Sequence, residues 1–346
     1  MILIIGCTTG SVFSQQSQPF TQYLFNRYLL NPAACGSNGY TMLGLTVKDQ
    51  WTGFGDAPFN QTLTLQIRVP REGLFRGGSS SPPIRMGGGG YRPENVGLGL
   101  ALFNDVRGPL RTTGSHFTYA YHMENGMGQL SFGLTASLFQ LSVDRSKVRT
   151  ELDWDMFLDN NKLSSFVPDV SFGLHYTQKK FYVGLSASHL FQSYLTFGGR
   201  ASNEFRIERQ YTFIGGYIFE PARELSIVPK MQLKYVERGA IQADINIIGY
   251  HFDLFWGGFS FRTGGGGAVG SAAIIFGVRY NNYYFGYAFD YTLSEIQRYT
   301  FGSHELMVNI SLGRATRFYQ YIRRYEFQDS EQQWRKQRSR GLVSGH

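Results

Sequence analysis

Between Lys230 and Ile247, apolar and polar side chains alternate almost one for one on both sides of Glu237-Arg238-Gly239. A period of two is the signature of a β-strand with one wet and one apolar face. The same period recurs along most of the chain. Leu63, Leu65, Ile67 and Val69 alternate with Thr62, Thr64, Gln66 and Arg68. Val96, Leu98, Leu100 and Leu102 alternate with Gly97, Gly99 and Ala101, and Tyr283 to Tyr291 alternate with Tyr284, Gly286, Ala288 and Asp290. Near the end, Leu306, Val308, Ile310 and Leu312 alternate with Glu305, Met307, Asn309 and Ser311.

The pattern predicts fourteen strands, near 40–50, 60–69, 95–104, 113–123, 128–142, 167–177, 180–190, 207–219, 225–236, 241–250, 252–262, 270–280, 283–292 and 304–313. A soluble sandwich could carry the same period, with its large residues inward. Two features favour an antiparallel transmembrane β-barrel of outer-membrane type. The strands are often ten residues or more, against about 5–6 in soluble sheets. The connections also alternate in length: those at 124–127, 178–179, 220–223 and 281–282 are short, and those at 143–166, 191–206 and 293–303 are long. Short periplasmic turns opposite longer surface loops are characteristic of such barrels. Two connections break the alternation: the short turn at Glu237-Arg238-Gly239 on the surface side, and the long Gly/Ser/Pro-rich stretch 70–94 on the periplasmic side.

A barrel makes sense of the charges. If Leu225, Ile227, Met231, Leu233 and Tyr235 face lipid, then Ser226, Lys230, Gln232 and Lys234 face a wet interior, and Asp244 lies inside near Lys234 or Gln232. The same charge in a closed soluble core would cost several kcal/mol. Lys230, Lys234, Asp244 and Arg279 are therefore the candidate lumen charges. Arginine at Leu65 or Phe285 should impair assembly, whereas replacement of Thr64 or Ala288 should be much milder.

Composition agrees. Of 346 residues, 16% are aromatic, 42 are glycine and only 17% are charged. No apolar run is long enough for a transmembrane helix. The net charge of +8 sits mainly in the tail. From Arg314 onward eight Lys or Arg face three acidic residues (8 − 3 = +5), while the rest of the chain holds 25 basic and 22 acidic residues (+3). The body has no aromatic-basic signature of nucleic-acid binding. In the tail, Phe318, Tyr321, Ile322 and Tyr325 recur at helical spacing beside Arg317 and Arg324, which makes 314–346 a candidate periplasmic docking element.

Residues 1–14 read as a secretory signal, with Val12 and Ser14 before a cleavage at Gln15. The alternative is a lipoprotein box at Ile4-Ile5-Gly6-Cys7. With Cys7 removed, Cys35 is unpaired and a disulfide framework is excluded. The glycine runs 87–90 and 264–267 precede no helix and lack a following Lys-Ser/Thr, so they read as loops rather than phosphate cradles. His116 and His122 read as lumen or rim residues without metal-ligand spacing. The acidic loop of Glu151, Asp153, Asp155 and Asp159 is flanked by Arg145, Lys147, Arg149 and Lys162, a weak basis for a calcium site. No nucleophile motif, metal motif or cofactor motif is present.

Gln18-Pro-Phe-Thr-Gln-Tyr23, Asn31-Pro32-Ala33 with Gly36-Ser37, and Lys48-Asp-Gln-Trp51 with Gly55-Asp-Ala-Pro58 and Gln61 resemble the opening of the PorP/SprF family. The resemblance continues through Asn95 to Asp105 with Gly108-Pro109, and through Gly302-Ser-His-Glu305, so that it spans about 18–313. Lys48 stands where the family usually has arginine, and Cys35 where an aromatic or small residue is usual. The resemblance implies a non-enzymatic outer-membrane component of the type IX secretion and gliding-motility machinery. Such a component supports export or surface anchoring of large adhesins and other cargo, and works with other secretion components, including a periplasmic peptidoglycan-binding protein. On this reading residues 15–39 form a periplasmic or plug segment, 40–313 the barrel and 314–346 the tail. The candidate partner-binding residues are Gln22, Tyr23, Asn31, Pro32, Trp51, Arg317, Phe318, Tyr321, Arg324 and Tyr325. The alternatives are a passive porin or uptake channel for small solutes, and an outer-membrane hydrolase whose triad is hidden in the sequence.

Overall fold

The computed structural model describes residues 21, 26–37, 39, 41–69, 95–125, 128–144, 147, 164–197, 200–222, 224–239, 241–252, 254–263 and 269–312. The strands are β1 (Thr41–Asp49), β2 (Phe59–Arg68), β3 (Val96–Arg107), β4 (Leu110–Asn125), β5 (Gly128–Val143), β6 (Ser164–Thr177), β7 (Phe181–Ser188), β8 (Tyr194–Phe197), β9 (Arg200–Arg206), β10 (Gln210–Tyr217), β11 (Phe219–Ala222), β12 (Leu225–Val236), β13 (Ile241–His251), β14 (Phe255–Thr263), β15 (Val269–Tyr280), β16 (Tyr283–Thr292) and β17 (Ser303–Leu312).

Fourteen of these, β1–β7, β10 and β12–β17, form one closed antiparallel barrel. Closure is double: β1 pairs with β17 from Thr41↔Leu312 to Asp49↔His304, and β10 pairs with β12 from Gln210↔Val236 to Gly216↔Lys230. Each predicted strand is found. The departures lie at the ends. β4 and β6 start earlier than the pattern predicts, at Leu110 and Ser164, and β14 starts later, at Phe255. β11 is a four-residue extension paired with β12. The surface connection 189–209 holds an unpredicted hairpin, β8–β9. β8 and β9 pair with each other and not with the barrel wall.

Both termini of the barrel lie at one end, where Thr41 and Leu312 are partners. The tight turns at 178–180, 252–254 and 281–282 are at that same terminal end. Asn281 there adopts φ 54°, a left-handed conformation that asparagine tolerates better than most residues. The opposite, loop end carries 50–58, 144–163, 189–209 and 293–302.

The two faces of the wall divide as the alternation predicts. On β12, Met231, Leu233 and Tyr235 are exposed outward while Lys230, Gln232 and Lys234 are buried inward. Across the wall, Phe117, Leu134, Leu185, Ile245, Ile247, Phe259, Ile274, Phe285 and Leu306 are exposed. Burying each such side chain is worth about 1.5–3 kcal/mol, so this continuous apolar belt requires lipid. Above the belt the outer face turns polar: Arg111 Nε and Thr113 Oγ1 both donate to Asn104 Oδ1, at 2.9 and 3.1 Å. There β3 and β4 rise out of the membrane.

The interior differs from a uniformly wet lumen. Met42, Val228, Ile248, Tyr250, Trp256, Ile275, Tyr284, Ala288 and Met307 point inward from β1 and β12–β17 and pack on one another. Thr64 and Ala288 therefore face packed surroundings rather than a solvated lumen. Thr64 is 3% exposed and hydrogen-bonded to Asn26 Oδ1 and Gly44 O, and Ala288 is 1% exposed within the apolar cluster. The inner face is packed because side chains from distant strands meet across it, a contact that strand periodicity cannot reveal.

Candidate functional site

The second half of the interior, against β1–β7, is occupied by the chain's own N-terminal segment. Arg27–Leu30 form one helical turn (α1), followed by a 3-10 turn at Pro32–Ala34. The local sequence explains this turn. Asn31 Oδ1 accepts from the Ala33 amide at 3.0 Å, and Pro32 fills the first position, where no amide is needed. The Asn31 amide nitrogen donates into the wall, to Leu174 O at 2.8 Å and Leu185 O at 3.2 Å. Asn31 therefore holds the segment's own turn and ties it to β6 and β7.

Inward glycines create the seat. A Cβ on Gly133 of β5 would stand 2.2 Å from Ala33 N, and one on Gly173 of β6 would stand 2.1 Å from Asn31 Oδ1. On β3 a Cβ at Gly97 would meet Cys35 O at 2.2 Å, and one at Gly99 would meet Cys35 Sγ at 2.7 Å. Tyr28, Ala34 and Cys35 pack with Ala101 and Ala120, and the Tyr28 hydroxyl donates to Leu100 O at 2.9 Å. His122 completes the seat: its Nε2 is 2.9 Å from Cys35 O and its Nδ1 is 2.8 Å from Ser131 Oγ. A carbonyl only accepts, so Nε2 carries the proton. Burial pushes the Cys35 thiol pKa well up.

Toward the loop end the segment meets charge. Lys48 Nζ lies 2.8 Å from Asp290 Oδ2 and 3.5 Å from Glu305 Oε2. Thr21 adds two donors: its amide to Glu305 Oε2 at 2.7 Å, and its hydroxyl to Asp290 Oδ2 at 2.6 Å. Arg262 reaches Asp290 at 3.8 Å and Asp244 at 3.1 Å. The cluster thus joins β1, β13, β14, β16 and β17 to the N-terminal segment.

The predicted residues fall in different places. Asn31 and Pro32 are buried against their own barrel. Trp51 is half-buried at the loop end, with φ 58° and its amide donating to Ser303 Oγ at 3.1 Å. Lys230, Lys234, Asp244 and Arg279 all point inward. Asp244 is the register partner of Gln232, one inward position from both Lys230 and Lys234, while Arg279 lies apart from them. Asp244 is in direct contact with Arg262, Lys230 lies over the Tyr250 ring at 5.9 Å, and Arg279 lies over Tyr284 at 5.3 Å, near the terminal end. Gln22, Tyr23, Arg317, Phe318, Tyr321, Arg324 and Tyr325 lie outside the described residues, as do stretch 70–94, the acidic loop and the tail.

Sequence reasoning missed Asp290, Glu305 and Arg262 as a unit and registered Lys48 only within a motif. The readable signal was parity, since each of these four sits on the polar face of its strand.

Two side-chain pairs near the loop end bear on the hydrolase alternative. His116 Nδ1 is 2.7 Å from Ser137 Oγ, while Asp169 pairs with His189 at 2.7 Å. Among the described residues, no three His, Cys, Asp or Glu side chains are grouped to hold a metal ion.

No curated protein matches the chain. Solved structures of similar overall shape include the Pseudomonas putida toluene transporter TodX, at 11% identity and TM-score 0.46, covering 83% of this chain and 92% of that one. Another is Acinetobacter baumannii Omp33, at 8% identity and TM-score 0.44, covering 79% of this chain and 98% of that one. The family model described as type IX secretion system membrane protein PorP/SprF matches residues 12–310. The chain belongs to the PorP/SprF family of type IX secretion system membrane proteins and is a β-barrel of the bacterial outer membrane.

Proposed function

We propose that this barrel is a non-conducting accessory of the type IX machinery. It supports export or surface anchoring of large secreted proteins from a closed outer-membrane base, and it links to periplasmic partners through its tail. The observation that carries the reading is the filled interior. Inward side chains all round the wall are nine-tenths buried or more, among them Lys48, Thr118, Ser131, Ser171, Tyr182, Thr212, Lys230, Asp244, Ser260, Ile275, Asp290 and Glu305. A water-filled porin needs those positions solvated and a constriction with opposed charges. Here one flank is packed by apolar side chains and the other by the N-terminal segment, so a passive solute channel is disfavoured. Family membership supports secretion as the process served. The gliding role, the peptidoglycan-binding partner and the adhesin cargo rest on the resemblance.

The test is a gentle-detergent pull-down of tagged protein, with and without residues 314–346, read by mass spectrometry. Recovery of a periplasmic lipoprotein or other secretion components, lost with the tail, is the expected result. Recovery of the barrel alone from both forms would refute the linkage.

A further inference from the structure

The strands of the wall differ in how far they rise above the terminal end. β1, β2, β16 and β17 have 9 or 10 residues each, whereas β4 and β5 have 16. A tilted strand needs about 9–11 residues to cross the hydrocarbon layer. The membrane therefore uses up the first group, while β4 and β5 have residues to spare. The outer face records the same limit. On β4 the outward apolar row ends at Phe117, and Ser115, Thr113 and Arg111 continue it as polar residues. On β16 the outward row stays aromatic up to Tyr291, one residue from the end of the strand.

On this short side the connections begin where the lipid belt ends, and they remain apolar. Tyr299 is 71% exposed and Phe301 80%, and Phe54 is exposed beside them. They stand on ordered backbone. The Thr52 amide donates to Gly302 O and the Phe301 amide to Thr52 O, both at 2.8 Å. Gly53, at φ 91°, makes room for the Phe301 ring, which a Cβ there would meet at 2.7 Å. Connections 50–58 and 293–302 thus form one platform over the β1–β17 seam. The outward polar groups beneath it are satisfied within the protein. His304 Nδ1 lies 2.6 Å from the Tyr287 hydroxyl, Asp49 Oδ2 accepts from Thr52 Oγ1 at 3.0 Å, and Gln297 Nε2 donates to the Tyr291 hydroxyl. Such groups leave bulk water without the usual penalty. Aromatic side chains with satisfied polar tips at the edge of an apolar belt suit a membrane–water interface.

We propose that this platform is a lipid-docking surface, with Phe54, Tyr299 and Phe301 seated among the headgroups and upper acyl chains of the outer leaflet. The occupant is lipid because the platform continues the outward aromatic row of β16 at the level where the short strands run out. β4 and β5 are six residues longer than β16 and β17, at 16 against 10. At about 3.4 Å per residue and a tilt of about 40°, that wall stands about 15 Å higher. The mouth is sunk into the bilayer on one side and raised on the other, whether or not the interior is closed.

The test uses Phe301→Cys and Thr113→Cys in the full-length protein, each labelled while folded with an NBD maleimide. Both are reconstituted in phosphatidylethanolamine–phosphatidylglycerol liposomes, with or without bromine on the upper acyl chains. Wild type taken through the same labelling corrects for the native cysteines. Iodide, present inside and outside the vesicles, reports exposure to water. An aromatic side chain seated about 5–10 Å into the headgroup–acyl boundary is within reach of the bromines. Emission from the label at 301 should therefore fall about twofold in brominated lipid and respond little to iodide, with the reverse at 113. Both positions lie outside the packed interior, so heat-modifiable migration should match wild type. Quenching at 301 by iodide alone would put the platform in water, and quenching by neither would put it under protein; either result overturns the proposal. Equal bromine quenching at 301 and 113 would overturn it as well, since the two walls would then be level.

Discussion

Gly133 of β5 meets the backbone of Ala33 so closely that a Cβ on the glycine would stand 2.2 Å from the Ala33 nitrogen. A residue in the middle of the wall is thus shaped by one that precedes the first strand. Gly133→Leu should therefore unseat the N-terminal segment without touching the lipid face. Overpacking costs typically about 1–3 kcal/mol. The expected outcome is an assembled barrel in which Cys35 becomes open to a maleimide, read by peptide mass mapping. Retained protection of Cys35 would contradict the seat.

In the wild type Cys35 should resist the same reagent at pH 8 until the protein is unfolded. Burial raises its pKa, so the neutral thiol is the folded form. The sign follows: a group whose folded pKa is raised gives its full contribution below the unfolded value of about 8.5 and loses it as pH climbs beyond that toward the folded value. Stability should hold from neutral pH to about 8.5 and decline above it, and Cys35→Ala should flatten that decline. Urea midpoints at stepped pH would read both curves.

Lys48→Met leaves Asp290 and Glu305 short of their nearest cation. Removing one partner of a buried ionic cluster costs about 3–5 kcal/mol. The shift should appear in the urea midpoint of heat-modifiable migration. Adding Glu305→Gln to Lys48→Met should restore part of the loss, since the uncompensated charge is removed. Additive losses in the double variant would count against the cluster acting as one unit.

On the outer face, Phe285→Arg should impair assembly by about 2–4 kcal/mol if the position is mid-membrane. Ala288→Leu, three residues away on the inner face, should also be damaging, through overpacking of the cluster that holds Ile275 and Met307. The two would separate by environment: Phe285→Arg should impair membrane insertion, whereas Ala288→Leu should insert and melt early. Normal insertion of Phe285→Arg would overturn the lipid-facing assignment.

How much of this was legible in the sequence follows from what kind of contact each feature is. Strand positions and facing were readable because the period of two is local: Tyr283 to Tyr291 declare their outward side without any partner. Lys48 and Asp290 stand 242 residues apart and meet only when β1 closes on β17, so each carried a polar-face label but no partner. The burial of Asn31-Pro32-Ala33 was hinted at only by the resemblance, which makes 15–39 a periplasmic or plug segment, and by no pattern in its own residues. Its trace was on the wall, in glycines placed on the inner faces of β3, β5 and β6, where solvated side chains would otherwise be expected. The inward apolar cluster escaped for the same reason. Ile248 and Ile275 read as neighbours of outward residues until the barrel brings them face to face.

The most direct test of a filled interior is conductance of the purified full-length protein in planar bilayers. Insertion with no steady current at low voltage is the expected result, because the apolar cluster and the seated segment together occupy the lumen. A stable, ohmic single-channel conductance from the wild-type chain would contradict it and return the open channel as the better reading.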